Sequence, residues 1–283
     1  MLLTVHTLDD LRAATDRLGG SGSIALVPTM GALHEGHLTL VRAARAKADH
    51  VAVSIFVNPR QFGANEDLDA YPRQLARDAA LLETEGVALL WAPAPDIVYP
   101  AGYATNISVA GVSEGLCGGD RPGHFDGVAT VVCKLFNQVR PDMAFFGEKD
   151  WQQLAVIRRM ARDLDLMRPH VDAIHGVAIV READGLAMSS RNAYLTPDQR
   201  SAAAALPRSM KQAIARLMQG EPTNTVLDDL RGELTSAGFA SIDYAEIRRG
   251  DDLGPADSAM ADSRLFVAAR IGGTRLIDNM PLT

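Results

Sequence analysis

The feature that most constrains this fold is the alternation of apolar runs with amphipathic stretches through about the first 175 residues. Apolar runs of strand length are Ile24–Val27, Val51–Val57, Val87–Trp91, Met143–Phe146 and Val171–Ile174. Stretches with helical periodicity are Leu38–Ala48, Tyr71–Glu85, Val128–Val139 and Trp151–Leu164. Wholly apolar strands that alternate with helices are typical of a parallel sheet covered on both faces. We therefore predict an α/β fold with a Rossmann-like parallel sheet.

The pattern changes after about residue 177. Thr196-Pro197 opens a long Ala-rich helical stretch, which we expect Pro207 to kink or split because proline lacks the N–H that a helix needs. The later elements are a helix over Asn224–Ala237 and strand-like runs at Ile242–Ile247, Leu265–Ala269 and Arg275–Ile277. The predicted domains are 1–177 and a smaller α+β domain, 178–283, which carries the Met188–Arg191 loop.

Composition narrows the possible partners and location. The net charge is −7, and the absence of a dense Lys/Arg run argues against nucleic acid as the main partner. Cys117 and Cys133 form no C-x-x-C pair, so we expect no disulfide framework and a reducing cytoplasm. The sequence begins without the features of a signal peptide and contains no apolar stretch of some 18 residues, so no membrane span is expected.

The run His34-Glu35-Gly36-His37 predicts a phosphate site. It lies between the first apolar run and an amphipathic stretch, which indicates a strand, a tight turn and a helix. The two histidines are three residues apart, so they share one face at the helix start, beside free N–H groups and the positive dipole end. A zinc site or ordinary surface histidines are the alternatives. Zinc-binding helices usually space their histidines by four, and no third ligand is evident nearby.

A second run, Met188-Ser189-Ser190-Arg191, supplies two hydroxyls and a permanent positive charge. Such groups suit a polyphosphate that gains charge as it leaves. Together the two runs resemble the paired signatures of the nucleotidyl-transferring superfamily that includes the class I aminoacyl-tRNA synthetases. That resemblance implies adenylate chemistry.

Other polar groups follow predicted strands and should meet at the same sheet edge. The carboxyl ends of parallel strands form one ligand-binding edge, so His34, Asn58 and Gly147 should converge there. This placement favours Lys149 as a phosphate ligand and Asp150 as a ribose or metal-side acceptor, with an ordinary polar turn as the alternative. Gln153, one helical turn further on, should face the same cleft.

Two predicted loops give less specific indications of function. Gln61, in Asn58–Gly63, is a neutral group that could orient hydroxyls or a carboxylate, or it is a solvated loop residue. The run Gly118–Gly127 is too rich in glycine for a packed element, so we expect a mobile flap over the site. Its Arg121 and His124 are either anion contacts or simple loop residues.

Four segments in this order carry a closer resemblance, and they are Val27–His37, Phe56–Phe62, Phe145–Gln153 and Arg181–Asn192. The chain resembles the pantothenate synthetase (pantoate–β-alanine ligase) family through most of its length and less so in its C-terminal third. The resemblance implies a Mg²⁺- and ATP-dependent condensation of D-pantoate with β-alanine through pantoyl adenylate, giving pantothenate, AMP and diphosphate. It also implies a homodimer. The implied reaction needs no covalent enzyme nucleophile.

The resemblance also implies roles for individual residues. The residues that would bind ATP are Met30, Gly31, Ala32, Leu33, His34, Glu35, Gly36, His37, Gly147, Glu148, Lys149, Asp150, Met188, Ser189, Ser190 and Arg191. The backbone at Gly176 and Val180 would contact adenine. Gln61 and Gln153 would hold pantoate, Gln61 would also serve β-alanine, and further substrate candidates are Asn58, Tyr71, Arg121 and His124. His37 would be the proton donor, and charge would be stabilised by His34, Lys149, Ser189, Ser190 and Arg191.

The metal ligands stay open. The family places an acidic metal-side contact in the helix after Tyr71, where Asp78 is the acidic residue of the stretch 73–80. Mg²⁺ can instead be held chiefly by ATP phosphates and water. Two other functions are possible: a nucleotidyltransferase that keeps AMP or CMP on its product, and a non-catalytic nucleotide sensor. Product analysis and β-alanine-dependent diphosphate release would separate them.

Overall fold

The computed structural model describes residues 1–63, 66, 68–256 and 262–282. Within these residues, six parallel strands form one sheet in the order β1-β4-β3-β2-β5-β6. The strands are β1 (Leu3–Val5), β2 (Ile24–Thr29), β3 (His50–Ile55), β4 (Leu89–Trp91), β5 (Met143–Gly147) and β6 (Ile174–Val177). The predicted fold class is confirmed.

Helices cover both faces of this sheet. They are α1 (Leu8–Gly19), α2 (Glu35–Arg45), α3 (Leu75–Thr84), α4 (Pro95–Val98), α5 (Leu116–Asp120), α6 (His124–Val139) and α7 (Trp151–Asp163). Successive strand residues point to opposite faces. Accordingly, Leu26 of β2 packs in the same core as α6, whereas its neighbour Val27 packs in the core that contains Val41 of α2. Burial on both faces is why these strands are apolar throughout.

The described residues of the C-terminal part form three α-helices and a three-stranded antiparallel sheet. Its elements are α8 (Pro197–Ala203), α9 (Ala205–Met218), α10 (Thr223–Ser236), β7 (Ser241–Arg249), β8 (Ser263–Ile271) and β9 (Thr274–Pro281). The expected split of the Ala-rich stretch occurs at Ala204, so Pro207 lies in the first turn of α9. Proline is tolerated there because first-turn N–H groups have no acceptor within the helix.

The small sheet is apolar on both faces. Leu265 and Val267 of β8 pack in a core with α9 and α10, whereas Phe266 and Ala268 pack in the main core of the larger sheet. One face of the C-terminal sheet therefore packs against the main core of the parallel-sheet region. None of the helices within the described ranges is long and apolar enough to span a lipid bilayer.

The expectation of an unpacked loop over Gly118–Gly127 is wrong. Most of this run is helical: its first residues belong to α5, which ends at Asp120, and its last residues belong to α6, which begins at His124. A Cβ atom on Gly127 would lie 2.3 Å from the carbonyl oxygen of Arg60. Gly118 and Gly127 lack side chains where neighbouring backbone approaches them closely.

Candidate active site

The two predicted phosphate motifs meet in a cleft of about 240 Å³ at the carboxyl edge of the parallel sheet. Most predicted site residues line it: Met30, His34, Gly36, His37, Asn58, Gln61, Tyr71, Arg121, His124, Gly147, Lys149, Asp150, Gln153, Val180, Ser189, Ser190 and Arg191. The convergence expected from the strand ends is therefore observed. An adjoining cavity of about 410 Å³ shares Lys149, Gln153 and Arg191 with the cleft and extends between the two sheets.

Several residues predicted to contact ATP lie outside the lining of the cleft. They are Gly31, Ala32, Leu33, Glu35, Glu148, Gly176 and Met188. Glu35 is exposed and pairs with Arg42 on the outer face of α2. Gly176 pairs with Phe146 inside the sheet, where a Cβ atom would lie 2.9 Å from the side chain of Glu148.

The two histidines form a cap at the start of α2. Nδ1 of His34 accepts a hydrogen bond from the amide of Gly36 (3.1 Å), and Nδ1 of His37 accepts one from the amide of His34 (3.3 Å). A ring nitrogen that accepts carries no proton, so each neutral imidazole bears its hydrogen on Nε2. The cap thus fixes both tautomers and leaves an Nε2–H donor on each ring.

Burial and nearby positive charge favour the uncharged form of both imidazoles. Burial, followed by the neighbouring charges of His34 and Lys149, lowers the pKa of His37 to about 3. Burial, followed by the charge of Lys149, also lowers the pKa of His34. The pair therefore offers hydrogen-bond donors to an anion without adding positive charge of its own.

A buried carboxylate shapes the loop that leads into this cap. Asp78 is fully buried and accepts hydrogen bonds from the amides of Ala32 (2.9 Å) and Leu33 (3.0 Å). Gly31 has a φ of +85°, and a Cβ atom there would lie 3.1 Å from Asp78 Oδ2. Asp78 is engaged with this backbone and does not line the cleft, so it is not placed to hold a metal ion.

The second phosphate motif is joined to the same loop. Ser190 Oγ donates to the carbonyl oxygen of Ala32 (3.2 Å), and Ser189 Oγ accepts from the amide of Arg191 (3.3 Å). The ammonium of Lys149 lies on the turn that follows the adjacent strand, β5, and is 3.8 Å from Asp150 Oδ1. Lys149 and Arg191 thus bring two cations to the cleft beside the neutral histidines.

Neutral groups form another part of the cleft. Asn58 is 1% exposed, and its Nδ2 donates to Gln61 Oε1 and to the carbonyl oxygen of Gly127, both at 3.1 Å. Its Oδ1 accepts from the Tyr99 hydroxyl (2.9 Å). With its oxygen held by Asn58, Gln61 directs Nε2 towards Met30 Sδ (3.2 Å). Asn58 therefore fixes the orientation of the Gln61 side-chain amide.

Arg121 and His124 also hold Gln61. Arg121 pairs with Glu66 at 2.6 Å and donates to the carbonyl oxygen of Gln61 (3.1 Å). His124 donates from Nδ1 to the same carbonyl oxygen (2.8 Å), and its Nε2 accepts from Arg121 (3.0 Å). Burial, followed by the charge of Arg121, lowers the pKa of His124 to about 4. Both side chains line the cleft, but their hydrogen bonds join them to protein groups.

The sequence analysis missed an apolar wall on α6. Val128, Val131, Val132 and Leu135 line the cleft and also belong to the main core. Their spacing places them on one helical face. The spacing predicts a helix that covers the sheet, but periodicity alone does not show that the same face borders a ligand cleft.

No cluster of three His, Cys, Asp or Glu suited to a metal ion occurs in the part of the chain that the structure describes. Asp150 is the carboxylate beside the cationic groups of the cleft. One carboxylate suits Mg²⁺ that arrives on phosphate oxygens and keeps much of its water.

Comparison with known proteins extends over the whole chain. The family model for pantoate-beta-alanine ligase matches residues 3–281. A pantothenate synthetase from Novosphingobium aromaticivorans is 65% identical over 279 residues, which are 98% of each chain. The crystal structure of pantothenate synthetase from Thermus thermophilus has a TM-score of 0.92 at 45% identity and covers 99% of both chains. A pantoate-beta-alanine ligase from Francisella tularensis, complexed with beta-gamma ATP and beta-alanine, has a TM-score of 0.83 at 31% identity, over 100% of this chain and 98% of that one.

Proposed function

The chain belongs to the pantoate–β-alanine ligase family, and we propose that it joins D-pantoate to β-alanine through a pantoyl-adenylate intermediate, releasing AMP and diphosphate. Membership makes it a carbon–nitrogen ligase that uses ATP. The observation that carries the finer proposal is the division of the cleft. Lys149 lies near the two histidines at the start of α2, and Ser190 joins the second motif to the loop before that helix, whereas Gln61 and the apolar wall of α6 line another part of the cleft.

The first half-reaction uses the charged part. One oxygen of the pantoate carboxylate attacks the α-phosphorus of ATP, the bond from the α-phosphorus to the bridging oxygen breaks, and diphosphate leaves with the electron pair. Lys149 and Arg191 neutralise charge on the departing phosphates, and the Nε2–H groups of His34 and His37 donate to phosphate oxygens. The resemblance gives His37 the role of proton donor. The negative charge of the triphosphate would oppose the burial that lowers the pKa of this ring, which favours the protonated form that a proton donor requires.

The second half-reaction uses the neutral part. The free amine of β-alanine attacks the acyl carbon of the adenylate and loses one proton to solvent as the amide forms, and AMP leaves with one former carboxylate oxygen. We place the hydroxyl and carboxyl groups of pantoate on Gln61 and Gln153, and its two methyl groups against Val131 and Val132. The hydrogen bond from Asn58 fixes the side-chain amide of Gln61, so Gln61 can orient the acyl group in both steps.

Magnesium fits this cleft as an ion carried by ATP. When bound, it would neutralise phosphate charge, and Asp150 is the residue that would face it. From family likeness we further propose a homodimer, and from composition a cytoplasmic location. Nucleic acid has no part in the proposal, because the chain is acidic overall.

A diphosphate-release assay with product analysis tests the function. Sustained release should require ATP, pantoate and β-alanine together, with equal amounts of free AMP and pantothenate. A product that retained the nucleotide, or ATP binding without β-alanine-dependent turnover, would contradict the proposal.

A further inference from the structure

One buried side chain of the C-terminal sheet reaches the turn that carries Lys149. Asn279 of β9 is 2% exposed and donates from Nδ2 to the carbonyl oxygens of Glu148 (2.9 Å) and Lys149 (3.1 Å). Its Oδ1 accepts from Nε and Nη2 of Arg264, at 2.9 and 2.7 Å. Both the oxygen and the NH₂ group of the amide are therefore hydrogen-bonded, and both N–H donors bind carbonyl oxygens of this one turn.

The amide of Asn279 can hold only one orientation. Rotating it by 180° would set its NH₂ group against the guanidinium of Arg264 and its oxygen against two carbonyl oxygens. Arg264 is itself fixed, because its guanidinium stacks 3.7 Å from the ring centroid of Trp151. The indole N–H of Trp151 donates in turn to the carbonyl oxygen of Gly250 (2.7 Å). Sheet, arginine and indole thus form a rigid support for Asn279.

The supported turn has little strength of its own. Glu148–Asp150 is a single 3₁₀ turn between β5 and α7, and such turns have poorer hydrogen-bond geometry than an α-helix. The direction of the Lys149 side chain depends on the backbone of this turn. Two hydrogen bonds to its carbonyl oxygens therefore fix where the ammonium can reach.

The same strand also braces the approach to the second phosphate motif. Asp278, next to Asn279, is 2% exposed and accepts from Arg181 at 2.7 and 2.9 Å. Arg181 begins the segment that leads to Met188, and its guanidinium also donates to the carbonyl oxygen of Gly185 (3.0 Å). Adjacent residues of β9 therefore hold the backbones that lead to both phosphate-facing cations.

We propose that Asn279 is a positioning residue for Lys149, through which the C-terminal sheet sets the ammonium for the triphosphate. This inference rests on the proposed function, because the reacting phosphates are those of ATP. Asn279 touches no substrate and acts through the turn.

A double-mutant cycle separates this role from a merely structural one. Asn279→Ala removes the amide, and Asn279→Asp keeps its size and the oxygen for Arg264 but removes both donors. Each should lower the single-turnover rate of pantoyl-adenylate formation about 10²-fold, the cost of a small misplacement. In a Lys149→Ala background, the same changes should alter that rate by no more than about twofold. Asn279→Asp decides the outcome if Asn279→Ala does not fold.

The matched control is Tyr244→Phe. It removes a buried hydrogen bond between the tyrosine hydroxyl of β7 and Cys117 Sγ of α5 (3.1 Å) and does not change the turn. Its adenylate-formation rate should equal that of the wild type. Equal losses from Asn279→Asp in both Lys149 backgrounds, or a wild-type rate in Asn279→Asp, would overturn the proposal.

The outcome can be told apart from failure of the proposed function. Formation of pantothenate by the wild type tests the function alone. Titration of ATP into the wild type, Asn279→Asp, Lys149→Ala and the variant that carries both substitutions tests the inference without any turnover. Asn279→Asp should weaken ATP binding when Lys149 is present and leave it unchanged when Lys149 is alanine.

Discussion

At the scale of single residues, the cleft combines permanent cations with imidazoles that are kept neutral. Nδ1 of each histidine caps α2, and burial lowers both pKa values. The sequence placed both rings at a helix start because a strand, a glycine-containing turn and a helix follow one another there. It could not show that each Nδ1 is occupied by the backbone, because that depends on side-chain orientation.

Lys149→Ala and His34→Ala should each lower turnover while the fold stays intact. Each removes one donor from the phosphate-facing part of the cleft, and the loss of one such donor typically lowers kcat about 10²–10³-fold. Steady-state kinetics with circular dichroism checks this expectation. Lys47→Ala, an exposed lysine on another surface, is the matched control and should keep wild-type turnover. Near-native kcat in either folded site variant would refute the assignment.

Gln61→Ala and His37→Ala should affect different steps. Gln61 is held among neutral groups, so its loss should weaken the apparent affinity for pantoate and β-alanine and leave ATP binding nearly unchanged. His37→Ala should slow adenylate formation, because we propose that its Nε2–H donates to phosphate. Calorimetric titration of ATP and single-turnover adenylate measurements compare the two. Loss of ATP binding in Gln61→Ala, or a normal adenylate rate in His37→Ala, would contradict this division.

His124 should make the folded state sensitive to acid. Its pKa is about 4 in the folded protein, against about 6.5 when unfolded, so between these values the unfolded chain binds the extra proton. The free energy of unfolding therefore falls as pH drops from 7 to 5, by roughly 1–2 kcal/mol for this residue. His124→Asn keeps a donor for the Gln61 carbonyl and cannot titrate, so it should lose less stability over that range. Urea denaturation at both pH values measures the difference, and identical pH dependence would refute the assignment.

At the scale of elements, the site depends on how closely α6 approaches the Pro59–Gln61 turn. Gly127 lets the carbonyl of Arg60 pack directly on the helix, and its own carbonyl accepts from Asn58. The position of Gln61 thus follows from the packing of a helix that contributes no catalytic side chain.

Gly127→Ala should disturb both stability and substrate binding. Its Cβ would lie 2.3 Å from backbone oxygen that cannot move freely, which should cost about 1–3 kcal/mol of unfolding free energy and raise the KM for pantoate. Gly119→Ala, in α5, is the control, because a Cβ there meets no atom within 4 Å. Thermal unfolding and pantoate kinetics test the pair. Equal behaviour of both variants would show that the close approach does not position Gln61.

The elements themselves were predictable where their apolar runs are long. β2, β3 and β5 contain apolar runs that are buried on both faces of the sheet, and the ends of these strands correctly located the cleft. β1 was missed because Leu3–Val5 is short and mostly exposed. The glycine-rich run was wrongly predicted because glycine indicates both loops and close backbone contacts. Only the tertiary position of Arg60 distinguishes the two.

At the scale of the whole molecule, we propose that the chain consists of domains 1–177 and 178–283 that work as one unit. β6 ends at Val177, and the C-terminal sheet then packs Phe266 and Ala268 into the main core. The second domain supplies Ser189–Arg191 to the cleft and braces the Lys149 turn through Asn279. Neither domain alone would hold both cations at the phosphates.

The central claim is that this cleft activates pantoate as an acyl adenylate, and the path of one oxygen atom tests it most directly. Pantoate labelled with ¹⁸O in its carboxylate would be converted with ATP and β-alanine, and the products analysed by mass spectrometry. Attack of the carboxylate on the α-phosphorus predicts one ¹⁸O atom in each AMP, with the other retained in pantothenate. AMP free of ¹⁸O, with the label in diphosphate or inorganic phosphate, would contradict the account.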